Sequence, residues 1–444
     1  MMPVPLLERI VADEIQPESA DVVVIGAGIA GVSAALNLAE AGLKVVVCEK
    51  GLVGAEQSSR NWGWVRQMGR DEAELPLTMQ SLRLWRQLDA RYGIFTGFCE
   101  TGITYVARTR VEERELTNWS KIGQAADLDS RVVSASELDR LLPGIAPRFR
   151  MGLYTAGDGR AEPGKAAPAI ARAAQKFGAT FLENCAVRGI ETTAGKLSAI
   201  VTEHGAIKTS AAIVSAGAWS RLFLGNLGLN FPQLKVLGTA ARVENVIDVP
   251  TMPVGGGDFA FRETTEGGYY VALRNYNIAP LTPDHFRLFF DYLPALAKTW
   301  RELNLRFTKM FFSELKVPRS WSFSEESPFE KVRILDPDPH MPYNLRALET
   351  LRVAFPKFAS ARITHNWAGI IDTTPDAVPA IGPIEQIPGL HIASGFSGHG
   401  FGIGPGAGEL ISQIVRGVKP TVDPTPFRFD RFGKTQSPKL QMSA

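Results

Sequence analysis

Residues 21–50 read DVVVIGAGIAGVSAALNLAEAGLKVVVCEK. Asp21–Ile25 is a short β-branched run, the pattern of a strand buried on both faces. Gly26-Ala27-Gly28-Ile29-Ala30-Gly31 follows at once, and Ser33–Ala41 has the composition and period of a helix. Gly42 stands where a helix C-cap belongs, and Lys44–Cys48 makes a second strand ending on Glu49 and Lys50. Gly26 allows the tight turn, Gly28 lets a pyrophosphate approach the backbone, and Gly31 lets the helix pack close to the strand. The helix start, around Ile29 and Ala30, offers free N–H groups and a partial positive charge to phosphates. Glu49, eighteen residues beyond Gly31, lies where a carboxylate accepts ribose hydroxyls. Two other readings are weaker. The uncharged run from Val22 to Ala39 approaches the length of a membrane span, but three clustered glycines with Ser33 and Asn37 argue against it. A strand–helix–strand unit that binds nothing would not need the acid in place.

Outside this stretch the bulk properties exclude more than they select. A chain of 444 residues buries a large core and is expected to form two domains. With 45% hydrophobic and 21% charged residues it is an ordinary globular composition. The balance of 48 Lys+Arg against 46 Asp+Glu, net +2, gives no global field for nucleic acid. Cys48, Cys99 and Cys185 are far apart in sequence and odd in number, with neither disulfide-framework nor metal spacing. That fits a reducing cytoplasm. Met1–Ala20 lacks the basic start and apolar centre of a signal peptide and reads as a short extension.

Gly51–Gly69, GLVGAEQSSRNWGWVRQMG, mixes glycines, polar residues and two tryptophans without any period, as expected of a loop lying against a flat aromatic ligand. Asp71–Leu88 reads as a helix with Leu75, Met79, Leu82 and Trp85 on a core-facing stripe. Ile103–Ala107 reads as a strand, Val111–Ala126 as a helix, and Ser134–Leu142 as a short helix capped by Ser134 with Glu137 three residues on. Pro163 starts a helix that Gly178 ends. Thr180–Val187, Ala199–Glu203 and Ala206–Ser210 read as strands, and Ala211–Ser220 as an apolar strand entering a turn at Ala216-Gly217-Ala218-Trp219. Lys235–Val243, Phe259–Arg262 and Gly268–Arg274 are further strands. Thr282–Lys316 reads as helical, broken at Pro294, with Trp300, Leu303, Phe307, Met310 and Phe311 on one face and basic residues around them. Such a helix covers its own sheet or lies on a membrane or partner. Near the end, Leu390–Ala393 is a strand, Gly395–Gly404 a glycine loop, Gly406–Gly417 a closing helix, and the tail from Val418 a surface wrap.

The second strand–glycine–helix unit has the logic of the first. Seven glycines lie between Gly395 and Gly408, so backbone N–H groups can reach a ligand, and the helix start favours negative charge. A reduced flavin ring is negative near N1 and O2, so the pair of units favours FAD over a nicotinamide cofactor.

With VVVIGAGIAGVSAALNLAEAG…VVVCEK, SSRNWGWVRQ, SAGAWS, TTPDAVPAIGP and GLHIASGFSGHGFGIGPGAGELI in this order, the chain resembles the D-amino-acid oxidase/sarcosine oxidase superfamily of FAD-dependent amine oxidoreductases from residue 21 to about 416. The resemblance implies an α/β (α+β) fold. In it a Rossmann-like FAD-binding domain (20–90, 150–228 and 355–420) is interrupted by a substrate domain (91–149 and 229–354) with a mixed or antiparallel sheet and covering helices. Residues 1–19 and 421–444 are terminal extensions. It implies oxidation of the C–N bond of a D-amino acid or N-substituted amino acid by hydride transfer to flavin N5, giving an imine that hydrolyses. A 2-hydroxy-acid dehydrogenase and a flavoprotein subunit of an electron-transfer complex are the rivals.

Carried over position by position, the resemblance puts Gly26, Gly28 and Gly31 on the pyrophosphate and Glu49 on ribose, with Lys50 beside it. Ser58, Arg60, Asn61, Trp62, Gly63 and Trp64 run past the ring, and Val187 touches adenine through its backbone. Ala216, Gly217 and Trp219 pack near the cofactor, and Gly398, His399, Gly400, Phe401 and Gly402 face the pyrimidine edge. Arg66 lines up with an arginine that binds the substrate carboxylate, a task its bidentate fork suits. Tyr270 and Arg274 are second pocket candidates, and His399 is a base or a positioning residue. The sequence departs from the family twice. Relatives that bind flavin covalently carry a cysteine where Gly369 stands, so FAD is expected to be non-covalent. Gly402 stands where those relatives carry a lysine that helps to activate oxygen, so a dehydrogenase passing electrons to a quinone or a protein is expected at least as much as an oxidase. The expected location is the cytoplasm, with a peripheral contact of residues 285–316 on the inner membrane face as the alternative.

Overall fold

The glycine-bounded strand of the opening stretch is the centre of a six-stranded sheet. The structure is a computed structural model describing residues 5–299 and 303–433. The strand order is Ala380–Pro383, Leu390–Ser394, Ala212–Val214, Val22–Ile25, Val45–Cys48, Thr180–Leu182. All neighbours are parallel except the first pair. Val22–Ile25 is buried throughout, because alternate residues enter different cores. Val22 and Val24 join the core beneath the helices Ile29–Glu40, Pro163–Lys176 and Gly400–Val415. Val23 and Ile25 join the core shared with a three-stranded antiparallel sheet, Val187–Thr193, Lys196–Thr202 and Gly205–Lys208. The result is a three-layer unit with the helix start of residues 28–31 at the carboxyl end of the central strand. Cys48 and Cys185, distant in sequence, meet in this second core. Both are free, and contact with Cys185 and burial push the Cys48 thiol up.

The larger sheet is mixed. Leu234–Glu244 pairs along its whole length with Arg362–Thr373 and also bonds Tyr269–Ala272, from which the sheet runs on to Ile103–Ala107, Met151–Thr155 and Ser130–Ser134. One face packs Phe259, Phe261, Phe355 and Phe358 against the helix Met341–Ala354. The other face turns Trp367, Ala240 and Ala272 toward the residues that follow the first glycine unit.

Most elements stand where the sequence places them, including the helix Ala135–Leu141 with its Ser134–Glu137 capping box. Several differ. The loop 51–69 contains one helical turn, Gln57–Arg60, and a short strand, Trp64–Val65. The next helix begins with a tight turn and runs Leu75–Tyr92; Leu75, Leu82 and Trp85 of its expected stripe are buried, and Met79 is not. Thr180–Val187 is two strands, split by a turn with Asn184 at positive φ. Thr282–Lys316 is not one broken helix. It forms Pro283–Arg287, Phe289–Thr299, a strand Leu303–Arg306 and Lys309–Leu315. The strand wins over helical period because the edge strand Asn277–Pro280 takes it as a parallel partner. Of the expected stripe, Trp300 lies outside the described residues, and Phe307 is exposed with Phe286, Phe290, Leu293 and Phe312. The tail after Val418 is anchored by buried Phe427 and Phe429. Among the described residues no helix is long and apolar enough to cross a membrane.

The closing helix begins at Gly400, six residues before its expected start, and contains Pro405. Proline removes one N–H from the ladder. Ser81 is inserted beside it, accepting from Gly406 N at 3.1 Å and donating to the Gly402 carbonyl at 2.8 Å, while Trp85 Nε1 donates to the same carbonyl at 2.9 Å. Three of the seven glycines serve helix packing rather than a ligand. A Cβ at Gly404 would strike Ile29, one at Gly406 Ser81, and one at Gly408 Ser33.

Candidate active site

The turn Gly26–Gly31 is held by its neighbours before any ligand arrives. Gly26 has φ +100°, and a Cβ there would lie 2.6 Å from the Ser215 carbonyl oxygen. A Cβ at Gly31 would penetrate the Gly26 carbonyl, so the packing role expected of this glycine is met. Ala27 N donates to Glu49 Oε2 and Gly51 N to Glu49 Oε1, both at 2.8 Å, while Ile29 N donates to Ser58 Oγ at 2.9 Å. Burial raises the Glu49 carboxyl, against the pull of Lys50 and the two N–H groups.

Two adjoining cavities meet over this turn. One is bordered by Gly26, Gly28, Glu49, Lys50, Ser58, Val187, Ala216, Gly217 and Trp219. The second is bordered by Gly28, Ile29, Ala30, Ser58, Asn61, Gly217, Gly398, Gly400 and Phe401. Gly28, Ser58 and Gly217 border both, so the two glycine units converge on one continuous space. Trp219 forms a wall, with Lys50 Nζ 4.5 Å and Lys235 Nζ 5.1 Å from its ring centre and its indole N–H on Glu56. Gln57 Oε1 and Ser215 Oγ, which border both cavities, are buried without hydrogen-bond partners, the condition expected of groups that await a polar ligand. The cradle therefore suits a dinucleotide.

The remaining expected residues lie elsewhere. Arg60 is turned away, paired with Asp336 and donating to the Ala368 carbonyl. Gly63 at φ +76° lets the Arg262 side chain pass, and Arg262 is buried on Glu162 at 2.8 Å. Trp62 and Trp64 stand edge to face at 5.8 Å. Gly402 lies with its Cα side toward Trp64, Val65 and Arg66, which sets the start of the closing helix against the Trp64–Val65 strand.

Beyond the tryptophans three arginines gather near one tyrosine. The Arg274 guanidinium is 4.0 Å and that of Arg66 5.7 Å from the ring centre of buried Tyr105. Arg66 donates to the Met68 carbonyl and Arg274 to that of Gly256. Arg70 is buried, with Nε and Nη1 unpartnered, and burial followed by the charge of Arg66 lowers it. Among the described residues none of the three forms an ion pair. Asp158 closes the back of the cluster, accepting from Gln67 N at 2.7 Å and Met68 N at 3.2 Å, and burial raises it to about 6. His399 Nδ1 is 2.9 Å from Oε2 of Glu74, a fully buried carboxylate.

Arg66, Arg274 and His399 thus belong to one region, whereas Tyr270 does not. It packs on Trp367 at 4.8 Å and under Arg262 at 4.5 Å, where it borders a separate cavity with Arg242 and His365. Tyr105, Arg70 and Glu74 were not legible in the sequence. Tyr105 lies in a plain strand and Glu74 in the turn before a helix, and only the fold brings them to Arg66, whereas Arg70 follows it by four residues in the same loop with nothing in the sequence to mark its role.

A family model described as FAD dependent oxidoreductase matches residues 21–414. The chain is similar to the solved L-amino acid deaminases of Proteus myxofaciens (32% identity, TM-score 0.93, covering 97% of this chain and 98% of that one) and Proteus vulgaris (31%, 0.91, 96% and 100%). It is 24% identical to the glycine oxidase of Pseudomonas putida over 92% of this chain and 98% of that protein. With the family model matched over most of its length, and two glycine-started helices bordering adjoining cavities, the chain belongs to the FAD-dependent oxidoreductase family.

Proposed function

We propose that the protein oxidises the α-carbon–nitrogen bond of an L-amino acid, and that the imino acid hydrolyses to a 2-oxo acid and ammonia. The observation that carries this reading is the group Arg66, Arg70 and Arg274 around Tyr105, cationic and without ion-pair partners among the described residues, at the foot of the closing helix. Such a cluster is costly unless an anion joins it, and a substrate carboxylate is the fitting anion. The L configuration and a primary amine rest on the likeness to the two Proteus deaminases, the first solved with anthranilate, an aromatic carboxylate. D-amino acids and N-substituted amino acids are the alternatives.

FAD would be held by Gly26, Gly28, Ile29, Glu49 and Ser58 at its dinucleotide part and by Gly398–Phe401 at the other end, and when bound it supplies the two-electron acceptor. The chain's own part is orientation. Arg66 and Arg274 bind the carboxylate through fork geometry, and Tyr105 backs both guanidinium planes. Fixing the carboxylate sets the α-carbon against the cofactor, the proximity contribution to rate. Trp62 and Trp64 keep water from the approach and suit an apolar side chain. Non-covalent cofactor binding is supported at position 369, where a Cβ would run into Gln57 and Arg60, leaving no place for a cysteine.

Electrons leave to a quinone or a protein rather than directly to oxygen, since no cation stands at Gly402. The exposed phenylalanines of residues 286–312, with Arg287, Lys309 and Lys316 among them, fit a peripheral contact with the inner membrane face, where a quinone is available. The test is flavin bleaching under anaerobic conditions with L- and D-amino acids, N-methyl amino acids and 2-hydroxy acids. Bleaching by L-amino acids supports the reading. Bleaching only by 2-hydroxy acids, or by nothing, refutes it.

A further inference from the structure

Glu74 and His399 form a buried pair whose charge depends on what occupies the arginine cluster. Glu74 has no exposed surface; its Oε2 takes the His399 Nδ1 at 2.9 Å, and its Oε1 has no partner. With Nδ1–H donating to the carboxylate, the lone pair for a further proton is on Nε2. From the segment before the helix Leu75–Tyr92 the ring is faced by Arg70 and Glu74, and from the Trp64–Val65 side by Arg66. Asp158 and Tyr105 face those arginines from behind. The ring's own helix carries no titratable side chain until Glu409. Arg66, Arg70, burial and the positive end of the helix Gly400–Val415 hold the imidazole neutral, against Glu74 alone.

An anion settling on Arg66 cancels part of the charge that opposes protonation, and Glu74 then prevails. We infer that His399 takes up a proton at Nε2 from solvent when a carboxylate ligand binds at Arg66, with Glu74 as the positioning residue that fixes the ring. The inference rests on the carboxylate reading of Arg66 given above. It makes ligand binding proton-linked: affinity weakens as pH rises through the range in which His399 is protonated only in the complex, by at most about tenfold per pH unit.

The experiment is calorimetric titration of the FAD-loaded enzyme with benzoate, which lacks an amine, in two buffers of different ionisation enthalpy near pH 7.5. The wild type should show net proton uptake and an affinity that falls with pH. His399→Gln and His399→Asn should bind benzoate without uptake, and Glu74→Gln should show reduced uptake. An unchanged far-ultraviolet circular dichroism spectrum and thermal midpoint would show that the variants keep their fold. Zero uptake in the wild type, or uptake retained in both His399 variants, overturns the inference while leaving the anchor in place. Absence of benzoate binding, or binding that Arg66→Ala leaves unchanged, removes the carboxylate reading itself and the inference with it.

Discussion

Replacing Arg66 by Ala deletes one arm of the cation pair that straddles Tyr105. Arg66 is half-buried, donates to the Met68 carbonyl, and among the described residues forms no ion pair, while its charge favours the ionised carboxylates of Asp158 and Glu74 nearby. With no direct pair to break, the folded state should lose little. What is lost is a charge-assisted pair with the substrate carboxylate, worth roughly 2–4 kcal/mol when one partner of a desolvated pair is truncated. At 1.4 kcal/mol per decade this is roughly a 30- to 1,000-fold rise in KM. The lower half is expected, because Arg274 and Arg70 remain and Arg66 is not fully desolvated. The turnover number at saturation should change less than KM if the contact anchors ground and transition states alike. Arg66→Lys should recover only part of the loss, since an ammonium keeps the charge but not the fork. The assay is steady-state reduction of an artificial electron acceptor over a wide amino-acid range, with the flavin spectrum as a control for folding. A KM within threefold of wild type, in a variant with full flavin content, refutes the carboxylate assignment.

Other positions give independent checks. Glu49→Ala strands the N–H groups of Ala27 and Gly51 and removes the ribose acceptor, so FAD affinity should weaken by roughly 10- to 100-fold in a fluorescence titration, as for one or two lost charged hydrogen bonds. Gly408→Ala drives a methyl into Ser33 on the first helix and should destabilise by about 1–3 kcal/mol, read as a lower thermal midpoint with unchanged KM. Asp372, which accepts from Gly395 N and Gln233, and Asp158 are both raised by burial to about 6. A carboxyl raised in the folded state is a penalty at neutral pH that disappears as pH falls through 6 toward 4. The histidines His285, His391 and His399, held neutral by burial, pull the other way in wild type and variant alike, so the gain reads as a difference: the midpoint of the wild type should rise relative to that of Asp372→Asn over that interval. A difference between the two proteins that stays constant from pH 7 to pH 5 contradicts this.

Local rules were sufficient where a single segment carries its own reason. Strand, turn and helix in residues 21–50 follow from branching, glycine and period, and the capped helix at Ser134 from two residues. They failed where a distant partner decides. Leu303–Arg306 is a strand because the edge Asn277–Pro280, 26 residues earlier, accepts it. The closing helix starts early because Ser81, from a helix 320 residues before, repairs the break that Pro405 makes. At the candidate site, the glycines that border the two cavities were legible by type and spacing. Tyr105 and Glu74 were not, since no local signal marks a distant residue as the neighbour of Arg66, and nothing in the sequence distinguishes Arg70, four residues on, from a surface arginine. Arg60, turned toward Asp336, and Tyr270, under Arg262, have side-chain partners that no local signal in the sequence reveals.

The cavity over the first glycine turn is closed by residues drawn from almost the whole chain: Gly26 and Glu49, then Val187 and Trp219, then Phe329 and Ile370. Around it, Lys50 donates to the carbonyls of Val332 and Arg333, and Arg333 grips Glu203. The first glycine turn itself leans on Ser215, and the second cavity closes only with Gly398–Phe401, about 400 residues into the chain. On the proposed reading of the cofactor site, flavin capture is accordingly a late event that reports on completion of the fold. Shortened products ending before that point should accumulate colourless, however well their first hundred residues are formed.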